Sequence, residues 1–393
     1  MWSDLADERG WARAWLLGAA LPLWWAQGAD HEHGGWFDKL DQQAVPSDLP
    51  KRLRVQARQV FVYAEAGRLG WDGPWQEAVG HGIDFMLAAF KRKDGLFRAT
   101  VTREGAPLVE APDLYDQAFV LFALAAGYAL VGRPPALLAE AEALLDRLET
   151  LLPHPERGFE EANPRRLPLR SNPHMHMLEA LLAWVEAGGG ARFADQARTI
   201  VALARERLID PATGAIGEYY DGDWNFAAVD GHLREPGHQY EWAYLLNLAG
   251  RVLGGDHAEA VDRLHRFGTR HGLADGRAIF SVDADGAVVD GSSRLWAQTE
   301  RLRTMLVLAP AMAPAQRDAA IAAAAESVAT LRRFLDVPVP GLWIDRVDVS
   351  GTFVVEPVPA SSFYHIVTGM VPLIEGVDRT LAVLPPVALA RSA

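Results

Sequence analysis

Residues 172–208 read NPHMHMLEALLAWVEAGGGARFADQARTIVALARERL, and the way this stretch is parsed decides the fold. Apolar residues recur at spacings of three and four on both sides of EAGGGAR. That is the pattern of two amphipathic helices, near 173–188 and 191–208. The glycine run between them allows only a tight turn. The next connection is of another kind. IGEYYDGDWNFAA (216–228) is long and reads as a hairpin, with short β-like runs around Gly and Asp. The unit is therefore a helix pair, closed tightly at one end and followed by an elaborate loop.

The unit recurs. Helical periodicity also marks segments near 8–26, 50–70, 76–92, 113–132, 135–152, 238–254, 257–272, 293–309, 314–335 and 361–375, with a thirteenth expected at 377–390. Tight connections occur at GRPP after 131, LGGD after 252 and APAMAP after 308. The long ones include LFRATVTREGAPL, IFSVDADGAVV and LWIDRVDVSGTFVV. Helices that follow a long connection start near 50, 113, 173, 238, 293 and 361, roughly 60 residues apart. Twelve helices as six hairpins, with no linker-like break, are expected to form one all-α domain over 1–393, an (α/α)6 toroid of inner and outer helices. All tight turns then lie at one end and all long loops at the other. An open solenoid of helix pairs is the alternative, but it needs no elaborate hairpins confined to one end.

Composition narrows the function classes. Half of the 393 residues are apolar, enough for a substantial core. The net charge of −13 argues against nucleic acid or an anionic membrane as partner. With no cysteine there is no disulfide, thiolate zinc site or cysteine nucleophile, and the compartment is left open. WARAWLLGAALPLWWAQGAD (11–30) has the apolar core of an export signal, and AQGAD the look of a cleavage site. However, the leader MWSDLADERG is acid-rich where such signals are positive, and the run is too short to span a bilayer. It reads as a first helix facing the core, in a cytoplasmic chain.

If the helices that follow long loops are the inner ones, their first turns converge at the mouth of the ring. Those turns carry Arg58; Tyr115 and Asp116; Asn172, His174 and His176; His238 and Glu241; Arg294, Trp296 and Glu300; and His365. Convergent polar groups on apolar walls suit a small molecule. Asn172 is expected to cap its helix, with Pro173 in the first turn, and Ser361 or Ser362 to cap the last. The positive end of a helix disfavours imidazolium, leaving a neutral ring able to accept a proton. His174 and His176, two apart, cannot share a helical face, so one faces the pocket and the other packs locally. His176 is the expected pocket residue. A metal held by this HxH pair with Glu179 is disfavoured, because HxH ligand pairs suit strands, where alternate residues share a face. No metal or cofactor is expected. His238 and Glu241, one turn apart, can pair as base and orienter. Taken alone, His365 among Phe363, Tyr364 and Ile366 would pass for a core histidine, and Arg58 for an ordinary ion-pair residue. Recurrence at equivalent repeat positions argues otherwise. In HEHGGWFDKLD (31–41), Trp36 and Asp38 are candidates for the pocket rim.

NPHMHMLEALLA, EPGHQYEWAYLL, RLWAQTERL and ASSFYHIV, in that order, resemble the N-acylglucosamine 2-epimerase superfamily. The similarity covers nearly the whole chain, including GGWFDKLD and RVQARQV. RLWAQTE is most similar to the aldose–ketose isomerase branch acting on mannose and related sugars. The epimerase branches tend to carry Trp-Trp where this chain has Leu295-Trp296, and many relatives have proline at the position of Ala297. The resemblance implies an (α/α)6 barrel and metal-free catalysis through a cis-enediol. It implies His238 and His365 as acid and base, with Arg58, His176 and Glu241 holding the substrate and polarising its oxygens. Tyr115, Asn172, Arg294, Trp296 and Glu300 are implied as further pocket residues. The expected activity is interconversion of D-mannose, or D-lyxose, with its ketose (D-fructose for mannose) by a monomer or homodimer whose partner is a monosaccharide. His365 would carry the proton between C2 and C1 while His238 serves the oxygens, or the reverse. The alternatives are a sugar 2-epimerase of mannose/glucose or N-acylglucosamine type, a glycoside hydrolase using Asp116 and Glu300, and a carbohydrate-binding toroid. An anionic 6-substituted sugar would need a further cation, for which Arg234 is the candidate.

Overall fold

The computed structural model describes residues 5–376, so the expected helix at 377–390 lies outside the described residues. Among the described residues there are twelve main helices: α1 (6–28), α2 (Leu53–Arg68), α3 (75–90), α4 (Leu114–Leu130), α5 (Pro135–Leu151), α6 (Ser171–Ala187), α7 (191–208), α8 (Pro236–Leu253), α9 (Ala258–His271), α10 (Leu295–Leu308), α11 (Pro314–Leu335) and α12 (Phe363–Glu375). Helices α1, α3 and α7 contain single π-helical stretches or pairs of them, such as Leu16–Ala20 and Trp24–Gly28 in α1.

Even-numbered helices are inner and odd-numbered ones outer, and the contacts say so. Each even helix packs on the next, α2 on α4 and onward to α12, which packs back on α2. Each is backed by one odd helix, with α1 serving α12. The closed toroid is thus established, and the open solenoid is not formed. Burial follows position. Outer α9 buries one stripe, Val261, Leu264, Phe267 and Gly268. Inner α4 buries thirteen of its seventeen residues, because neighbours cover it on three sides. The tight turn of the opening stretch ends α6 at Gly188, whose φ of +86° suits glycine; Gly188 and Gly189 donate to Val185 O and Trp184 O.

The long loops are sewn to one another around the mouth. Lys51–Arg52 pairs with Thr100–Val101, Leu169–Arg170 with Tyr219–Tyr220, and Ser293–Arg294 with Arg346–Val347. Arg234 pairs with Val282, Leu114 N–H donates to Glu161 O, and Lys39–Leu40 pairs with Val358–Pro359. Backbone hydrogen bonds therefore run round the whole rim.

A second device fixes each loop to its helix. Gln56, Gln117, Gln239 and Gln298 each sit fourth in an inner helix, fully buried. Each accepts the backbone N–H and donates to the C=O of one loop residue: Trp36, Phe97, Ile216 and Ala278 respectively. In α6 the fourth residue is His174. Its Nε2 accepts Phe159 N–H at 3.1 Å, and its Nδ1–H donates to Arg170 O at 3.2 Å. His174 is a staple of the scaffold.

Two expected caps are not made. Asn172 is the second residue of α6, and neither it nor Arg170 supplies a side-chain cap. Ser362 stands at the cap position of α12, but its hydroxyl donates to Asp345 Oδ1 at 2.5 Å. The N–H groups that open α2, α4, α6 and α10 are satisfied by loop carbonyls of Ala99, Glu161, Glu218 and Asp345. Among the described residues, no helix is long and apolar enough to cross a membrane.

Candidate active site

Inside the mouth, one circuit of contacts joins the inner helices. Arg58 donates to Tyr115 Oη at 2.7 Å and to Ser361 O at 3.1 Å, and its guanidinium lies 4.3 Å over the Phe119 ring. Tyr115 and Phe119 contact the His176 ring, with centroids 5.1 and 4.5 Å away. His176 Nδ1 bonds Glu179 Oε2 at 3.1 Å and lies 3.9 Å from Glu241 Oε1. Tyr364 donates to the same Glu179 oxygen at 2.5 Å. Arg303 is central: its guanidinium is 2.5 Å from Glu300, 3.5 Å from Glu179 and 3.7 Å from Glu241. His365 Nδ1 bonds Glu300 Oε1 at 2.8 Å. The Trp296 ring lies 5.7 Å from His365 and 5.0 Å from His238. His238 Nε2 meets the Asn172 amide at 3.3 Å, and His238 Nδ1 bonds Glu218 Oε2 at 2.7 Å.

The two imidazoles flanking Trp296 are tuned in opposite directions. Burial pulls His238 down, but the carboxylates of Glu218 and Glu235 outweigh it and raise the ring from 6.5 to about 10. His365 is held well below 6.5 by burial, with the charges of Arg58 and Arg303 adding to it. Burial also lowers His176 to about 4. Burial raises Glu241 well above the ordinary carboxyl value, and neighbouring Glu300 adds to this. Glu179 runs the other way, to about 2: burial would raise it, but His176, Arg303 and Tyr364 together prevail. At neutral pH His238 is an imidazolium and His365 a neutral ring whose Nδ1–H points at Glu300. Among the described residues, His365 Nε2 has no protein partner. The expected dipole effect at helix starts is overridden at His238 by acids of the adjoining loop.

The candidate residues Arg58, Tyr115, Asn172, His176, His238, Glu241, Trp296, Glu300 and His365 are brought together in this circuit. Arg294 is not: it lies at the rim, half-exposed, bonded to Asp345 at 2.5–2.8 Å. Asp116 is fully buried and held by Nε and Nη2 of Arg54. Trp36 is core, stacked on Tyr63, and Asp38 binds Arg52. Arg234 is buried against Gly231 O and Leu233 O, 3.6 Å from Asp210, and is no pocket cation. The carboxylate bonded to His238 is that of Glu218, not Glu241. Glu218 sits in a loop and Arg303 two turns into its helix, where the first-turn pattern does not point. A signal for Glu218 exists: WFD, FEE, IGE and WID recur at one place in four long loops.

Three groups of donor atoms lie close enough to hold a cation: His176, Glu179 and Glu241; Glu218, Glu235 and His238; and Glu241, Glu300 and His365. In the first and third, the Arg303 guanidinium already supplies positive charge at contact distance, and a divalent ion would have to share the site with it.

Comparison with known proteins finds relatives over most of the chain. The N-acylglucosamine 2-epimerase (GlcNAc 2-epimerase) family model matches residues 35–369. A mannose-6-phosphate isomerase of Rhizobium meliloti is 39% identical over 388 residues, covering 96% of this chain and 100% of the relative. A D-mannose isomerase of Thermobifida fusca is 29% identical over 324 residues, covering 75% and 78%. The solved cellobiose 2-epimerase of Spirochaeta thermophila superposes with a TM-score of 0.85 over 96% of this chain and 98% of that one, at 22% identity, and so shares the fold.

Proposed function

Because the chain belongs to the N-acylglucosamine 2-epimerase family, a family of sugar-isomerising and epimerising enzymes, we propose that it is an aldose–ketose isomerase converting D-mannose to D-fructose through a cis-enediol. The observation that carries this reading is the pair of imidazoles flanking Trp296, one bonded through Nδ1 to Glu218 and the other through Nδ1 to Glu300, with surroundings that shift them in opposite directions. Two titratable groups driven apart by their surroundings are the mark of an acid and a base.

In the open-chain aldose, the free Nε2 of neutral His365 takes the C2 proton. The His238 imidazolium gives a proton to O1 as the C1 carbonyl becomes an enol, and Arg58 stabilises charge developing on oxygen. The His238 ring then takes the O2 proton while His365 returns its proton to C1, leaving a C2 ketone and a C1 hydroxymethyl group. The Asn172 amide suits both states of His238. Its Nδ2 faces Nε2 and its buried Oδ1 has no partner, so half a turn about its last bond presents a donor or an acceptor. Glu241 Oε1, also buried and unpartnered, suits a substrate hydroxyl.

A neutral sugar is preferred over a phosphorylated one. The rim arginines Arg52, Arg170 and Arg294 are committed to Asp38, Glu161 and Asp345. Hydrolysis by Asp116 and Glu300 is disfavoured, since each carboxylate is tied to an arginine. The 2-epimerase remains the second reading, because the same His238 N–H directed at C2 rather than O1 would invert that carbon.

The test is proton NMR of EDTA-treated protein with D-mannose, and separately D-mannose 6-phosphate, in D2O. Fructose deuterated at C1 supports the isomerase. Glucose deuterated at C2 supports the epimerase. Turnover of the phosphate alone overturns the neutral-sugar assignment, and turnover of neither sugar overturns the proposal.

A further inference from the structure

Four of the six long loops place an acid whose backbone C=O accepts the N–H that opens a neighbouring inner helix or the short turn before it. Asp38 O receives Ala360 N–H, Glu161 O receives Leu114 N–H, Glu218 O receives Ser171 N–H and Asp345 O receives Leu295 N–H, all at 2.9–3.2 Å. These four residues are equivalent in the repeat and all are buried. Three of their side chains bond an arginine of the rim: Asp38 with Arg52, Glu161 with Arg170 and Asp345 with Arg294. Only Glu218 is turned to an imidazole. One of its oxygens accepts Glu235 N–H at 3.0 Å, at the start of α8, and the other accepts His238 Nδ1–H at 2.7 Å. The carboxylate is thereby anchored to the same first turn that carries His238, so ring and acid move as one body.

We propose that Glu218 is a positioning residue for the reaction. A rim acid, which elsewhere in the repeat closes the mouth, here holds His238 Nδ1–H, so that Nε2 faces the substrate, protonated in the imidazolium and bare once that proton is given up. The proposal rests on the isomerase reading for its kinetic consequence, but its electrostatic consequence stands without that reading. The groups around His238 come from four elements. Glu218 belongs to the loop, and Glu235 (3.7 Å) and Glu241 to the cap and body of its own helix; His176 and Asn172 belong to α6, while α10 contributes Trp296 with Arg294 at its cap. Glu218 is the one carboxylate in hydrogen-bond contact with the ring, and it is the main group opposing burial in raising His238 to about 10.

Glu218→Gln retains an oxygen that can accept Nδ1–H but removes the charge; Glu218→Asp retains the charge but withdraws it by one methylene. Protein labelled with 15N-histidine is titrated without substrate between about pH 5 and pH 11, with the His238 signals identified by their loss in His238→Gln. In the wild type His238 is expected to stay doubly protonated until near pH 10. In Glu218→Gln its midpoint should fall by more than about one unit. The kcat for mannose should drop about 10–100-fold, the range for loss of an outer partner, with KM little changed and the alkaline limb of the pH profile moved down with the NMR midpoint. Glu218→Asp should recover part of both. An unmoved His238 midpoint in Glu218→Gln, or an unmoved kcat and alkaline limb, overturns the proposal. If Glu218→Gln does not fold by circular dichroism, the intermediate value expected of Glu218→Asp decides. If the wild type turns over no sugar, the isomerase reading fails while the NMR titration still judges the placement of Glu218.

Discussion

At the scale of single residues, the site depends on charges that burial makes consequential. His365→Asn should lower kcat about 10²–10⁴-fold with an unchanged melting curve, because the ring bonds only Glu300 and its removal strips the base without unpinning a helix. The pH–rate profile of the wild type should show an acid limb below 6.5, where His365 acquires a proton, and an alkaline limb near 10, where His238 loses one. Steady-state rates across that range check both limbs, and a single limb near 6.5 would contradict the opposed tuning. Arg303→Met should cost about 3–5 kcal/mol by denaturant titration, since it leaves Glu179, Glu241 and Glu300 buried without their common counter-charge. At this scale the sequence was most readable where a residue sits in the first turns of an inner helix, because the repeat itself points there. His238, His365 and His176 were legible on that basis. Glu218 and Arg303 were not, because their roles come from which loop and which turn meet across the ring, and no spacing within one repeat encodes that.

At the scale of elements, the repeat is held by small devices that the chain reuses. Gln239→Ala should cost about 1–3 kcal/mol, by leaving the buried N–H and C=O of Ile216 without partners beneath the loop that carries Glu218. His174→Gln restores the side chain that four other inner helices use at this position, and it should fold. It should also lessen the sensitivity of the fold to acid. The folded-state value of His174 is depressed by burial to about 4, so the unfolded chain binds its proton first. The stability involved is complete above 6.5 and is lost as pH falls towards 4. Melting temperatures of the two proteins should converge at neutral pH and diverge below about pH 6. Gly237 has a different use: a Cβ there would meet the Trp296 ring at 2.4 Å, so Gly237→Ala should displace the indole and lower activity more than stability. Helix periods and turn positions were legible from composition, but the caps were not. Asn172 and Ser362 are cap residues by type, yet at α6 a neighbouring loop supplies the acceptor in Glu218 O, and the polar atoms of the two side chains go to His238 and Asp345.

At the scale of the whole molecule, six inner helices run in parallel with their N-termini at the loop end, so the positive ends of six helix dipoles face one opening. This suits an enediolate, whose charge appears there only during the reaction. The toroid could be inferred from alternating long and short connections. So could its closure, since elaborate hairpins confined to one end favour a ring; the seam could not, because it depends on Lys39–Leu40 meeting Val358–Pro359 and on α1 backing α12 from the far end of the chain.

That seam between the first and last repeats has a further consequence. A row of stacked helix pairs loses its end units first, like a zipper opened from its tabs. A hoop whose ends are joined has no tab. Arg9 reaching Ile374 O and the strand pair at 39–40 and 358–359 make the seam one more joint among six. It follows that the covalent break can be moved. A circular permutant opened in the glycine turn at 188–190, with the old termini tethered, should refold to an active enzyme. A chain cut short before α12 should lose every repeat at once.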